Sequence, residues 1–153
     1  MLRVLVAGLL AVAQSVAPAA QETAHLTIAT SASAQAGKAS LVVDVTPKPT
    51  MHVYSPGQKG YIVITLTLHP DPAFTAAKAK YPAGEKLFMK ILNETQLVYS
   101  KPFRITQDIR FVKARAGAPR TIKGTLRYQA CDDKICYLPQ NVPVSWTIDA
   151  VSR

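Results

Sequence analysis

The sequence predicts an all-β fold, specifically an immunoglobulin-like antiparallel β-sandwich, on three observations. Apolar residues recur with period two in several short runs, prolines and turn-forming residues close almost every run, and no segment carries a convincing amphipathic helical pattern. The 11 prolines against 7 glycines fit a chain of many short segments with punctuated ends. At 153 residues, 48% hydrophobic and 18% charged, the chain has the size and apolar content of one domain and is too apolar for a disordered polyampholyte.

The chain opens on a leader. Met1-Leu2-Arg3 supplies a positive start, Val4 to Ala13 is an unbroken run of apolar or small residues, and Ala17-Pro18-Ala19 offers small residues for cleavage. That is the form of a secretory signal peptide over residues 1–20, cut near Ala19 or Ala20. Its apolar core falls short of the roughly 20 residues that span a bilayer. The expected product is therefore an exported, periplasmic domain over residues 21–153, monomeric and soluble.

Residues 21–37 are rich in Ala, Ser, Thr and Gln, so a loose lead-in with one edge strand at His25 to Thr30 is expected. Leu41 to Val45 reads as a short strand. Ile62, Ile64, Leu66 and Leu68 alternate with Val63, Thr65 and Thr67, and Phe74 to Lys80 reads as a single helical turn. Leu87 to Leu92 and Gln96 to Tyr99 are shorter strand candidates. Phe103, Ile105, Ile109 and Phe111 then alternate with charged and polar residues, as do Ile122, Leu126, Tyr128 and Ala130, and finally Val142, Val144, Trp146 and Ile148. Alternation of this kind places one strand face on a core and the other in water. Trp146 is a core residue on this reading.

The formal charge of +9 raises nucleic acid as a partner, which export makes inapplicable. Between Ala73 and Ala130 stand twelve Lys or Arg and three acids, Glu85, Glu94 and Asp108. These are the solvated outer faces of strands, or a basic surface for an acidic partner or an anionic membrane leaflet.

Export gives the two cysteines weight, because disulfides persist outside the cytosol. Cys131 and Cys136 flank Asp132 to Ile135, a four-residue hairpin loop, and so form a cross-strand pair within disulfide reach. Counted along the strands, Cys131 falls in the outward set with Gln129, and Cys136 counted back from Val142 falls in the inward set. A bulge at Pro139 or Pro143 would reset the register and leave both sulfurs near the surface at one end of the sandwich. Closing so short a loop removes little chain entropy, roughly 2 kcal/mol against about 4.7 for a hundred-residue loop. A bond that contributes so little to folding can open and close without unfolding the domain, as a redox carrier requires. No helix dipole depresses either thiol, and Asp132 and Asp133 oppose thiolate formation while Lys134 and Arg127 favour it. The pair suits attack by a partner's thiolate better than it suits initiating exchange. The competing class is a binding or assembly module in which the same disulfide is structural.

The run Tyr128-Gln129-Ala130-Cys131 through Cys136-Tyr137-Leu138-Pro139, preceded by Gly124-Thr125-Leu126, resembles the active-site hairpin of the N-terminal periplasmic domain of DsbD, the bacterial thiol:disulfide interchange protein. Met51-His52-Val53-Tyr54-Ser55-Pro56 is similar to that domain's early aromatic strand. The resemblance implies an immunoglobulin-like domain that takes electrons from a thioredoxin-like donor and passes them to periplasmic acceptors serving disulfide isomerisation or cytochrome c maturation. It implies that Cys136 forms the mixed disulfide and Cys131 resolves it. The best-known member has one more residue between its cysteines and shields them with an aromatic cap loop flanked by acids. The corresponding region here, Lys90 to Thr95, lacks an aromatic, so Leu92 or Phe88 is the cap candidate and Glu94 its acid. The membrane and thioredoxin-like domains of full-length DsbD are not in this sequence, which implies a stand-alone form with a separate membrane electron transporter.

His52 and Tyr54, two apart, share a strand face and are expected to line the approach to the disulfide, with Leu92 and Tyr137 as further partner-binding residues. No cofactor and no metal is expected. Met51, His52, Cys131 and Cys136 together compose the one set that would suit a soft ion such as Cu(I), and they are held as an alternative. No Ser-His-Asp arrangement, phosphate-binding glycine loop or paired carboxylates suggest other chemistry.

Overall fold

A computed structural model describes residues 20–112 and 119–149. The signal-peptide reading falls on 1–19 and so lies outside the described residues, except that Ala20 opens the first strand. The strands are β1 (Ala20–Glu22), β2 (Leu26–Gln35), β3 (Lys38–Pro47), β4 (His52–Tyr54), β5 (Thr65–Leu68), β6 (Phe74–Ala76), β7 (Glu85–Met89), β8 (Glu94–Tyr99), β9 (Phe103–Phe111), β10 (Arg120–Tyr128), β11 (Ala130–Cys131) and β12 (Gln140–Ile148). Every named pairing is antiparallel. No helix among the described residues is long and apolar enough to cross a membrane.

The strands form three sheets, ordered β1-β2-β3-β9-β6, β12-β10-β5 and β11-β4-β8-β7. Alternation determines which residues point inward: Leu41, Val43 and Val45 on β3, Ile105 and Ile109 on β9, Ile122, Leu126 and Tyr128 on β10, and Val142, Val144, Trp146 and Ile148 on β12 are all buried. These faces meet in one core that also takes Val53, Tyr99 and Ala130 from the third sheet. Trp146 crosses this core, and its indole N–H donates to the carbonyl of Val42 on the opposite sheet at 2.8 Å. The result is the immunoglobulin-like sandwich that the periodicity predicts.

Several expectations need correction. Residues 26–35 are a full ten-residue strand paired throughout with β3, not a loose lead-in with a short edge strand. Small polar side chains give no periodic signal, but the backbone pairs regardless, and the two-residue turn Ala36-Gly37, both at positive φ (47° and 76°), matches the twist of a tight hairpin. Phe74 to Lys80 contains β6 and a further bridge from Lys80 to Thr106, with no helical turn, because it docks along the open edge of β9. The alternating run from Ile62 forms a strand only from Thr65, Val63 making an isolated bridge to Tyr54.

Pro143 causes no bulge. β12 lies at the edge of its sheet and keeps continuous register with β10 from Gln140 opposite Tyr128 to Ile148 opposite Arg120, and Pro143 simply faces Thr125. The register instead breaks at Gln129, where the chain leaves the three-stranded sheet and enters the four-stranded one as β11. Of the basic residues between 73 and 130, those at 78, 80, 86, 90, 101, 104, 110, 123 and 127 are exposed and Arg120 is half-buried, while those at 113 and 115 lie outside the described residues. Lys80 pairs with Asp108 and Arg104 with Asp44, so the strand faces carrying these charges are solvated.

Gly124 interrupts the apolar alternation of β10 for a steric reason. It sits between Val144 on one side and Leu68 on the other, and a Cβ there would stand 2.9 Å from the carbonyl oxygen of Thr67. Gly124→Ala is expected to force the β5–β10 ladder apart and destabilise the domain by about 1–3 kcal/mol, measurable as a lowered urea midpoint with an unchanged m value.

Candidate redox site

Cys131 and Cys136 form a disulfide with their Cα atoms 4.0 Å apart, directly opposite each other across the hairpin. Asp132 shapes the intervening loop. Its Oδ1 accepts the backbone N–H groups of Lys134 (2.7 Å) and Ile135 (2.8 Å), its Oδ2 accepts the Tyr137 hydroxyl (2.9 Å), and its own N–H donates to the Ile135 carbonyl (2.9 Å). This is an Asx-type turn in which one carboxylate organises the loop. The two backbone donors, then the Tyr137 hydroxyl, hold the Asp132 carboxyl below the usual carboxylate range. Below the loop the Tyr137 N–H donates to the Ala130 carbonyl at 2.8 Å, which aligns the returning strand.

The two sulfurs differ in access. Cys131 is 1% exposed, whereas Cys136 lies at the surface beside Ile135 and Leu138, themselves 56% and 81% exposed. The expectation that both would lie near the surface therefore fails for Cys131. After the break at Gln129, Ala130 pairs with Val53 and Cys131 with His52, so Ala130 faces the main core and Cys131 faces the opposite side of the sheet. That second side has its own apolar cluster of Tyr54, Val98 and Cys131, with Tyr61, Val63 and Leu87 packed against it.

His52 and Tyr54 lie on this same side of β4. The Tyr54 hydroxyl stands 3.4 Å from the Cys131 sulfur and 3.5 Å from the Cys136 sulfur, and it is the hydroxyl that donates, since disulfide sulfurs carry no hydrogen. Burial, followed by the neighbouring Tyr61 and Glu94, pushes the Tyr54 phenol up to about 12, so it remains a donor at any physiological pH. Its ring stacks on Tyr61 at 4.3 Å. The Tyr61 hydroxyl donates to Glu94, and the buried amide of Gln96 donates to both Tyr61 (3.1 Å) and Glu94 (2.6 Å). Hydrogen bonds from Gln96 and Tyr61 keep the Glu94 carboxyl below its ordinary range, and the bond to Glu94 raises the Tyr61 phenol. The network leads from the sulfurs through two stacked phenols to a surface carboxylate.

Leu92 and Phe88 occupy the β7–β8 hairpin at 54% and 55% exposure, and neither belongs to the cluster around Cys131. The aromatic neighbours of the disulfide come instead from Tyr54 and Tyr61. Tyr61 and Gln96 carry no sequence signal, because Tyr61 follows a turn and Gln96 is a polar residue inside a strand. Only the packing of the loop after β4 onto β8 brings them together. Tyr137 flanks Cys136 and packs at 4.4 Å against His25. Among the described residues no three His, Cys, Asp or Glu side chains gather as a metal-holding group.

A family model described as "Thiol:disulfide interchange protein DsbD, N-terminal" matches residues 18–146. No curated protein matches the chain. Among solved structures, the N-terminal periplasmic domain of ScsB from Proteus mirabilis aligns with a TM-score of 0.56 at 11% identity, over 84% of this chain and 47% of that one. The chain thus spans about half the length of that relative. The reduced N-terminal domain of Neisseria meningitidis DsbD aligns at 0.45 with 18% identity over 71% and 77% of the two chains, and the yeast GGA1 GAE domain at 0.47 with 12% identity over 82% and 93%. The family match runs across the disulfide hairpin and nearly every strand, and the chain belongs to the family of DsbD N-terminal domains, part of a thiol-disulfide oxidoreductase system.

Proposed function

We propose that the protein is a periplasmic electron carrier whose Cys131–Cys136 disulfide accepts two electrons from a thioredoxin-like donor and passes them to a thioredoxin-like acceptor. The observation that carries this reading is the unequal access of the sulfurs, with Cys136 exposed and Cys131 buried beneath Tyr54. The export leader of residues 1–20, the periplasmic location named for the ScsB domain and the family match support the compartment and the reaction class.

Reduction begins when a donor thiolate attacks the Cys136 sulfur, the one it can reach. A donor–Cys136 bond forms as the Cys131–Cys136 bond breaks, and Cys131 departs with the electron pair. Tyr54 donates a hydrogen bond to the sulfur on which that charge develops, in a site where burial strengthens the interaction. The donor's second thiolate then attacks its own mixed disulfide and releases Cys136. The donor ends as a disulfide, and this domain ends with two thiols after taking up two protons. The acceptor half-reaction is the reverse: Cys136 attacks the acceptor disulfide, and Cys131 resolves the mixed disulfide.

The exposed apolar side chains of Ile135 and Leu138 beside Cys136 provide a surface on which a partner docks around the sulfur. His52, Tyr54 and Tyr137 border the pair, and Leu92, in the β7–β8 hairpin, belongs to the partner surface only if that surface extends beyond the sulfurs' own cluster.

Cys131→Ala is expected to trap a mixed disulfide with a thioredoxin-like protein through Cys136, and Cys136→Ala to trap none; non-reducing gels and mass spectrometry read the outcome, and trapping by the reciprocal variant alone would reverse the assignment. The wild-type reduction potential, measured in a thiol redox buffer, should lie above about −300 mV. A lower value would mark a structural bond and favour the binding-module reading. Tyr54→Phe preserves shape but removes the donor, and reduction by a small dithiol should slow about tenfold, the size expected for a hydrogen bond to a charged group.

A further inference from the structure

His52 is 2% exposed, and its Nε2 is buried without a hydrogen-bond partner. A buried polar atom in that condition is costly, and natural structures rarely keep one without a reason. Its position supplies the reason. His52 lies directly across the β4–β11 ladder from Cys131, and its side chain emerges on the same face of the sheet. Its ring stands edge-on to Tyr54, 5.9 Å between centroids, and Tyr54 is the residue whose hydroxyl reaches both sulfurs. Burial disfavours the imidazolium, against the opposing pull of Asp133 and Asp132, and a neutral imidazole carries one acceptor nitrogen.

The disulfide has no hydrogen to give that nitrogen. Reduction creates one, because Cys131 becomes a thiol while still enclosed in its cluster. We propose that His52 is a positioning residue of the redox pair, its Nε2 accepting the S–H of Cys131 in the dithiol form. The acceptor left empty in the oxidised protein is filled on reduction, which draws the equilibrium toward the dithiol. The imidazole gains and loses no proton in the net reaction. The two electrons and two protons go to the two sulfurs, and His52 only orients and stabilises the thiol of Cys131. This inference rests on the reading of Cys131 and Cys136 as an exchanging pair.

The test is the thiol–disulfide equilibrium of wild type, His52→Leu and His52→Gln, read by alkylation and mass spectrometry in a graded redox buffer. His52→Leu should shift the equilibrium constant about tenfold toward the disulfide, a fall of about 30 mV, and His52→Gln, whose side-chain carbonyl is again an acceptor, should restore it to within about threefold. Equal shifts in the two variants would show that packing governs the effect and would overturn the inference. As a readout independent of the variants' folding, the ¹⁵N shift of His52 Nε2 in the wild-type protein should move on reduction in the direction of an accepted hydrogen bond, and an unchanged shift would also overturn it. A wild-type potential below about −300 mV would sink the carrier reading itself. A higher potential that His52→Leu leaves unaltered would sink only the role of His52.

Discussion

The site depends on two backbone pairings between very short strands, Ala130 with Val53 and Cys131 with His52. Because strand side chains alternate, this register sends Val53 and Ala130 into the main core and leaves His52, Tyr54 and Cys131 together on the other side. A slip of one residue would exchange the two sets, placing Cys131 in the core and separating it from Tyr54. The sandwich core therefore anchors the redox pair without enclosing it. Val53, fully buried, and Tyr99, whose hydroxyl donates to the Pro82 carbonyl at 2.6 Å, hold the central strands in place while the opposite face of β4 carries His52 and Tyr54.

On that platform the two sulfurs acquire different properties from the same hairpin. Asp132 spends its acceptor capacity on the loop and on Tyr137, so the negative charge nearest the pair is engaged in structure. Tyr54 offers its proton to either sulfur and is itself backed by Tyr61, Glu94 and Gln96. Cys136 is left exposed at the surface, and Cys131 is buried beneath Tyr54. The short loop contributes little stability, and the domain's integrity resides in the core that Trp146 and its bond to Val42 cross.

Much of this was legible in the residues. Alternation located β9 to the residue and β12 to within two residues of its start, because each has one wet face and one dry face, and it carried β10 past its end at Tyr128 to Ala130. It failed where that contrast is missing: in β2, whose outer half is Ala and Ser, and in β6, a three-residue edge strand that looks like nothing alone. The cysteine hairpin was visible from its spacing, but the exposure of its sulfurs was not. Parity counting puts Ala130 inward and Cys131 on the other face, and both hold across the change of sheet at Gln129, but parity does not show that a second apolar cluster with Tyr54 and Val98 covers that other face. Tyr61 and Gln96 were invisible for a related reason, since their importance lies in contacts across 33 to 35 residues of sequence or in a buried polar position that pattern reading assigns to no site.

By itself, then, the sequence determined the class of the fold and the identity of the paired cysteines, because period-two hydrophobicity and cysteine spacing are local properties of the chain. The tertiary structure alone decided which sulfur is exposed, which donor attends the pair, and that the aromatic neighbours come from β4 and the loop after it instead of the β7–β8 hairpin. Those outcomes follow from sheet order and register, which bring Cys131 beside His52 and Tyr54 from nearly eighty residues away.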